Sequence, residues 1–304
     1  MYTLLSFAFS ITGPVLLLLL IGWFVRHLGM ISDAFIREAN TLVYNIAFPV
    51  MLFYALSAAP LHESIDWPLT LIGLFGTLAV VLILIAFGRL VPADQRGVFI
   101  QGGYRGNLAI LGVALAIATY DESVLPRIAM YIAVVTTAYN IVAVWVLQSK
   151  GALRQMMRNP ILIGIVAGVI GSALSIQTPA FMEATGAYLT NMALPVALIC
   201  IGASLKFSGL KSHMRSLLLA SIFKLIISPL LLIGLGIYFG LRDERLAILF
   251  FMSASPTATA SYILARQLTP HGALAAEIIA VTTALGVVTY TICLLYTSPS
   301  PRDS

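Results

Sequence analysis

Ten apolar runs, each near the length of a membrane-spanning helix, limit what this chain can fold into. A helix needs about 20 apolar residues to cross the hydrocarbon core of a bilayer. Only 10% of the 304 residues are charged, whereas a soluble domain carries about 25%. We therefore predict an all-α polytopic membrane protein. Its predicted spans are Leu5–Val25, Asn40–Ala58, Pro68–Phe87, Val98–Ala118, Ile128–Leu147, Pro160–Leu174, Thr185–Leu205, Leu217–Phe239, Leu246–Leu264 and Ala273–Leu295.

The lysine and arginine residues between the runs predict the orientation of the chain in the membrane. Eleven of them follow the odd-numbered runs, and four lie on the other side. Basic residues mark the cytoplasmic side of a membrane protein, so both termini are predicted to face outward. The basic residues are spread over short loops and form no basic face, so no nucleic-acid partner is expected.

The two halves of the chain repeat each other at an offset of 146 residues. The letters NIAFPV at residues 45–50 match NMALPV at residues 191–196. Each half holds five runs, an odd number, so the second half must insert in the opposite orientation, as in many secondary transporters. We predict a first five-helix repeat at residues 1–150 and a second, inverted repeat at residues 151–296. The polar tail at residues 297–304 resembles an appended coding end.

The fourth and ninth runs carry helix-breaking residues at equivalent depths. The ninth run contains SASPTATAS at residues 253–261, and the fourth contains QGGYRGN at residues 101–107. Pro256 lacks an N–H and clashes with the preceding turn, and glycine costs helix stability. Gly106 is predicted to be one of these helix-breaking residues. We therefore predict that helices 4 and 9 are broken and cross near the middle of the membrane.

The two breaks predict an anion-binding site. Asn107 and Ser255, the latter followed by Pro256, are predicted to be N-caps of the second half-helices. Helix N-termini present unpaired N–H groups and a partial positive charge, which suits a carboxylate. The alternative is that the small residues only let helices pack closely. We favour the anion site because the two breaks occur at equivalent positions of the repeat. The predicted substrate-binding residues at the breaks are Asn107, Ser253, Ser255, Pro256, Thr257 and Thr259.

Three polar side chains in other runs are further candidates for substrate binding. Lys224, in the eighth run, either receives the negative charge of the substrate, pairs with Glu277, or extends to the membrane interface. Tyr139 and Asn140, in the fifth run, either line the site or bond a neighbouring helix.

Two asparagines each stand four residues before a proline within a run. Asn45 precedes Pro49, and Asn191 precedes Pro195. Their amides are expected either to bond the carbonyl groups that the prolines leave free or to contact the substrate.

The sequence resembles the auxin efflux carrier family over nearly its whole length. The resemblance implies ten helices in two inverted repeats, crossed broken helices 4 and 9, and transport of small organic anions by two bundles that move against each other. It also relates the chain to bile-acid/sodium symporter-like transporters. The short loop near residues 148–159 fits the bacterial, malate-permease-like form and hence a bacterial inner (plasma) membrane. The residues that carry the resemblance are Asn45, Pro49, Gly106, Asn107, Leu111, Gly112, Asn159, Pro160, Leu194, Pro195, Ile201, Gly202, Lys224 and Pro229.

The function predicted from these features is secondary active transport of small organic anions by alternating access, with the anion and the lipid bilayer as partners. A homodimer is compatible with this interpretation. The alternatives are a sodium-coupled symporter of larger organic acids and a membrane-embedded sensor. A sodium site would be expected to contain carboxylates, and the breaks contain none, although the carbonyl groups of unwound backbone can bind Na⁺. A sensor would need a signalling domain, and no loop is long enough to hold one. No catalytic motif or metal-ligand spacing is present, so no enzyme, metal site or cofactor is predicted, and the coupling ion, H⁺ or Na⁺, stays open.

Overall fold

The described residues fold almost entirely into helices. The computed structural model describes residues 2–57, 65–147, 159–174, 176, 178–205 and 213–297. Every regular element within these ranges is helical, which confirms the predicted all-α class. The end of the second predicted span at Ala58, most of the loop at residues 148–159, and the tail from Ser298 lie outside the described residues.

The first half of the chain forms helices at the positions of its five predicted spans. Two of these spans pass through a π-helical turn, and the fourth is interrupted. The elements are α1 (Tyr2–His27), α2 (Asp33–Leu42), a π-helical turn (Val43–Ala47), α3 (Phe48–Ser57), α4 (Trp67–Phe87), α5 (Arg96–Tyr104), a second π-helical turn (Leu108–Gly112), α6 (Val113–Tyr120) and α7 (Leu125–Val146).

The second half also forms helices at its five predicted positions. Its third span passes through a π-helical turn, and its fourth is interrupted. The elements are α8 (Pro160–Ala173), α9 (Ala180–Ser204), α10 (Met214–Ile222), a π-helical turn (Phe223–Ile227), α11 (Ser228–Tyr238), α12 (Asp243–Ala254), α13 (Ala260–Leu268) and α14 (Gly272–Thr297).

Five helical stretches among the described residues are long and apolar enough to cross a membrane by themselves. They span residues 33–57, 67–90, 122–143, 180–204 and 214–238. Shorter apolar helices occur at residues 13–27, 108–120, 160–173 and 272–286. The interrupted helices fall short of the required length because each is divided into two short pieces. The chain is therefore a multi-pass helical membrane protein.

Two of the π-helical turns end two residues before a proline. The N–H of Phe48 bonds the carbonyl of Val43 ahead of Pro49, and the N–H of Ser228 bonds the carbonyl of Phe223 ahead of Pro229. The wider turn changes the hydrogen-bond register at the point where the proline offers no N–H.

The asparagines that precede prolines lie on the helix surface. Asn45, within the first π-helical turn, is exposed, and so is Asn191. Helix α9 continues through Pro195 without a break. Both amides therefore face outward from the helices that carry them.

The helices pack as two groups. We call α1, α2, α3, α8 and α9 the first bundle, in which α1 packs along α9 and α3 packs along α8. The remaining helices form the second bundle, where α11 packs on α4 and α12, α10 on α5, and α13 on α14. Glycines allow the backbones of the first bundle to touch, because a Cβ on Gly22 would clash with Ile199 and one on Gly202 with Leu19. Such close packing of small residues is typical of membrane helices.

An ion-pair network fastens one end of the second bundle. Asp66 is buried, caps α4 by accepting a hydrogen bond from the Leu69 N–H (3.1 Å), and pairs with Arg245 (Nε to Oδ2, 2.7 Å). Arg127 pairs with Glu244 and lies 3.7 Å from Asp66. The starts of α4, α7 and α12 are thereby held together.

Polar contacts also fasten the opposite end of the second bundle. They join the start of α10 and the start of α14 to each other and to the turn before α5. The contacts are Ser216 Oγ to Gln95 Oε1 (2.6 Å), His271 Nε2 to Asp94 Oδ2 (3.0 Å) and His213 Nδ1 to Glu277 Oε2 (3.4 Å).

We expect Asp66→Ala to destabilise the second bundle by about 1 kcal/mol or more, because it removes a helix cap and the buried carboxylate that pairs with Arg245. Thermal unfolding of the purified protein in detergent measures this change. Glu122→Ala, at an exposed acid in the turn before α7, is the control. Equal unfolding temperatures for the two variants would contradict the structural role of the network.

Candidate functional site

Both predicted helix breaks are present. Helix α5 ends at Tyr104, residues 105–107 are non-helical, and helical structure resumes at Leu108. Helix α12 ends at Ala254, and α13 begins at Ala260. Arg105 (φ −78°, ψ 96°) and Ser255 (φ −52°, ψ 133°) both leave the helical region of backbone space.

The two breaks are hydrogen-bonded to each other. The Asn107 N–H donates to the carbonyl of Pro256 (2.7 Å), and the Ala258 N–H donates to the carbonyl of Arg105 (2.9 Å). These bonds form an isolated antiparallel bridge between Gly106 and Thr257. Each interruption therefore supplies partners for the backbone groups that the other one frees, as the interior of a membrane requires.

The side chains of the second break satisfy its remaining backbone groups. In a continuous helix the N–H of residue 256 would bond the carbonyl of Met252, but Pro256 has no N–H, and the Ser255 hydroxyl donates to that carbonyl at 2.7 Å. The Thr257 N–H bonds the hydroxyl of Thr282 on α14 at 3.1 Å. The Thr257 hydroxyl in turn donates to the carbonyl of Gly102 at 2.7 Å.

The predicted N-cap at Ser255 is wrong. Ser255 lies at the C-terminal end of α12, and the next helix begins five residues later at Ala260, with Thr259 in the N-cap position and no side-chain capping bond. The reason is that residues 255–258 are held extended by pairing with the other break. Asn107 does stand directly before the helix that starts at Leu108, as predicted, but its side chain makes no capping bond.

Gly106 lies where the two breaks approach most closely. A Cβ at this position would clash with the hydroxyl of Ser255 and would stand 3.1 Å from Lys224 Nζ. The absence of a side chain at residue 106 is thus a condition for the pairing of the breaks.

Lys224 is fully buried at the crossing. Its Nζ donates to the carbonyl of Ser253 at 2.7 Å, the carbonyl to which the Thr257 N–H would donate in a continuous helix. Its side chain has no exposed surface, so it does not extend to the membrane interface. The predicted pairing with Glu277 is also wrong, because Glu277 pairs with His213 at the end of the bundle.

Arg105 is a second buried cation at the crossing, which was not among the predicted site residues. Only 6% of its surface is exposed. Its Nη2 donates to Asn140 Oδ1 at 2.8 Å, whereas Nη1 is buried without a hydrogen-bond partner. Its position two residues before Asn107 was the signal in the sequence that could have placed it inside the membrane. Among the ion pairs formed by the described residues, none includes Arg105 or Lys224.

The predicted residues of α7 also reach the crossing. Tyr139 is buried, its carbonyl accepts a hydrogen bond from the Tyr104 hydroxyl at 2.9 Å, and its ring packs against that of Tyr104, the residue directly before the first break. Asn140 holds Arg105 as described above. The structure therefore brings both α7 residues into contact with the first break, whereas Thr259 lies at the far side of the second, at the start of α13.

These features are typical of a transporter. The protein crosses the membrane several times, and it holds two paired helix breaks and two buried cations at its centre. The sequence comparison agrees. The chain belongs to the family described as membrane transport protein, the auxin efflux carrier family, whose profile matches residues 9–152 and 144–294.

Individual relatives resemble the chain over most of its length. A candidate malonate transporter of Rhizobium meliloti (strain 1021) is 25% identical, with 97% of this chain and 98% of the relative covered. An uncharacterized transporter of Methanothermobacter thermautotrophicus is 24% identical over 83% of this chain and 85% of the relative. Another, of Methanocaldococcus jannaschii, is 23% identical over 82% of this chain and 86% of the relative.

We expect Gly106→Ala to disturb the crossing, because the added methyl group meets Ser255 and Lys224. Overpacking of this kind costs about 1–3 kcal/mol, which thermal unfolding in detergent detects. Gly234→Ala, where a Cβ has no neighbour within 4 Å, is the matched control and should unfold close to the wild-type temperature. The double variant Gly106→Ala with Ser255→Ala, which removes the clashing hydroxyl, should recover part of the loss. A Gly106→Ala protein as stable as the control would contradict the close approach.

Proposed function

We propose that the protein is a secondary active transporter of small organic anions such as carboxylates. The observation that carries this proposal is the presence of Arg105 and Lys224, both buried at the crossing and both without a carboxylate partner among the described residues. A buried charge costs several kcal/mol unless it is paired. A bound anion supplies the missing charge.

The backbone at the first break favours an anion as well. The helix that starts at Leu108 carries no side-chain cap, so the N–H groups of its first turn and its partial positive charge are available to a ligand. The name of the relative from Rhizobium meliloti includes malonate, which supports a small carboxylate as the substrate of this chain. Asn107, Ser253, Ser255, Pro256 and Thr257 form the wall of the proposed site, with Thr259, Tyr139 and Asn140 around it.

We further propose ten spans in two inverted repeats, residues 1–150 and 151–296. In support, Asn107 at the first break and Ser253 near the second differ by 146 residues, the offset of the repeat, and the second bundle is fastened at both ends. A fastened bundle can move as one body against the first bundle, which is the motion that alternating access needs. No ATP is required, the coupling ion is H⁺ or Na⁺, and the chain resides in a bacterial inner membrane with both termini outside.

Reconstitution into liposomes tests this function. We expect purified protein to accumulate labelled malonate or another small carboxylate under an imposed pH or sodium gradient, and the corresponding neutral amide to be excluded. Empty liposomes provide the background rate. The absence of flux for every carboxylate in a panel of mono- and dicarboxylates under both gradients would contradict the proposal.

A further inference from the structure

The two buried cations at the crossing have different surroundings. Lys224 already has a protein partner, since its Nζ bonds the carbonyl of Ser253 at the C-terminal end of α12, where a positive charge is favourable. Arg105 keeps a buried Nη1 with no partner. A buried N–H without an acceptor costs free energy, which a ligand can recover.

They also lie on opposite sides of the paired breaks. Successive residues of an extended chain direct their side chains to opposite faces, and Arg105 and Gly106 are successive residues of the first break. The Cβ direction of Gly106 faces Ser255 and Lys224. Arg105 therefore faces away from Lys224.

Arg105 faces the seam between the two bundles. Its guanidinium bonds Asn140 on α7, the helix of the second bundle that packs against α3 and α8 of the first bundle. A ligand at Arg105 would thus lie beside the helix of the second bundle that faces the first, whereas Lys224 contacts Ser253 and lies next to Gly106, both within the second bundle.

We propose that Arg105 is the residue that binds the substrate carboxylate, and that Lys224 is a fixed structural cation of the crossing. The inference rests on the proposed transport function, and it states which of the two buried cations binds the substrate. Nη1 and the second hydrogen of Nη2 form a fork that matches the two oxygens of a carboxylate. Asn140 is a positioning residue, because its amide oxygen orients the guanidinium.

The amide of Gln101 is a second unpaired polar group near Arg105. Gln101 has no exposed surface, and both of its side-chain polar atoms are buried without a partner. The Arg105 N–H bonds the Gln101 carbonyl at 3.1 Å, so Gln101 lies in the last turn of α5, directly before the first break. This amide can bond the part of the substrate beyond the carboxylate that Arg105 holds.

The test compares Arg105→Gln with Lys224→Met in proteoliposomes, using the carboxylate with the highest wild-type flux. We expect Arg105→Gln to raise the half-saturation concentration by about 10- to 100-fold, because a hydrogen-bonded ion pair to the ligand is lost, and to reduce discrimination against the neutral amide. Lys224→Met should lower the maximal rate and the unfolding temperature, with a half-saturation concentration within about threefold of wild type. Arg266→Gln, at an exposed arginine on α13, should behave like the wild type.

Arg105→Lys keeps the charge but loses the fork, and it covers the case in which Arg105→Gln does not fold. It should also raise the half-saturation concentration, with discrimination against the neutral amide retained. If wild-type protein transports the carboxylate and neither Arg105 variant changes its half-saturation concentration, the assignment of Arg105 is wrong and the transport function stands. If wild-type protein transports no carboxylate, the proposed function fails and this inference falls with it.

Discussion

The structure depends on the hydrogen bonds between two interrupted helices. Hydrocarbon offers no partners for backbone N–H and C=O groups, so a broken helix is tolerated only where other protein groups replace the lost bonds. Here each break supplies partners for the other, through Asn107 to Pro256 and Ala258 to Arg105. Gly106 permits the approach, and Lys224 takes a carbonyl that the break leaves free. The polar centre of the protein is therefore a consequence of this pairing.

Ion pairs and hydrogen bonds hold the helices of the second bundle together at both ends. Ion pairs around Asp66 hold one end of the second bundle, and the contacts around Gln95 hold the other. The crossing lies between these two ends, so both breaks belong to the same rigid group of helices. Arg105 bonds Asn140 on α7, the helix of that group that packs against α3 and α8 of the first bundle. A charge at this place lies next to the interface between the two bundles. Secondary transporters bind their substrates at such an interface.

The sequence predicted the helices, the two breaks and their meeting, because apolar run length and helix-breaking residues are local properties. It misplaced the features that depend on tertiary contacts. Ser255 with Pro256 has the local pattern of a helix start, yet pairing with the other break keeps the chain extended until Ala260. Arg105 was not among the predicted site residues, although it stands two residues before Asn107 in the predicted break, because residue type alone does not distinguish a buried arginine from an exposed one. Its burial follows from Asn140, 35 residues away in the chain.

The most direct test of the central claim is an experimental structure of the protein with its best-transported carboxylate at saturating concentration. The account predicts density for the anion in the seam, within hydrogen-bonding distance of Arg105 Nη1, with the Asn107–Pro256 and Ala258–Arg105 bonds intact. Density that contacts Lys224 Nζ in place of Arg105, or breaks that separate on binding, would contradict it.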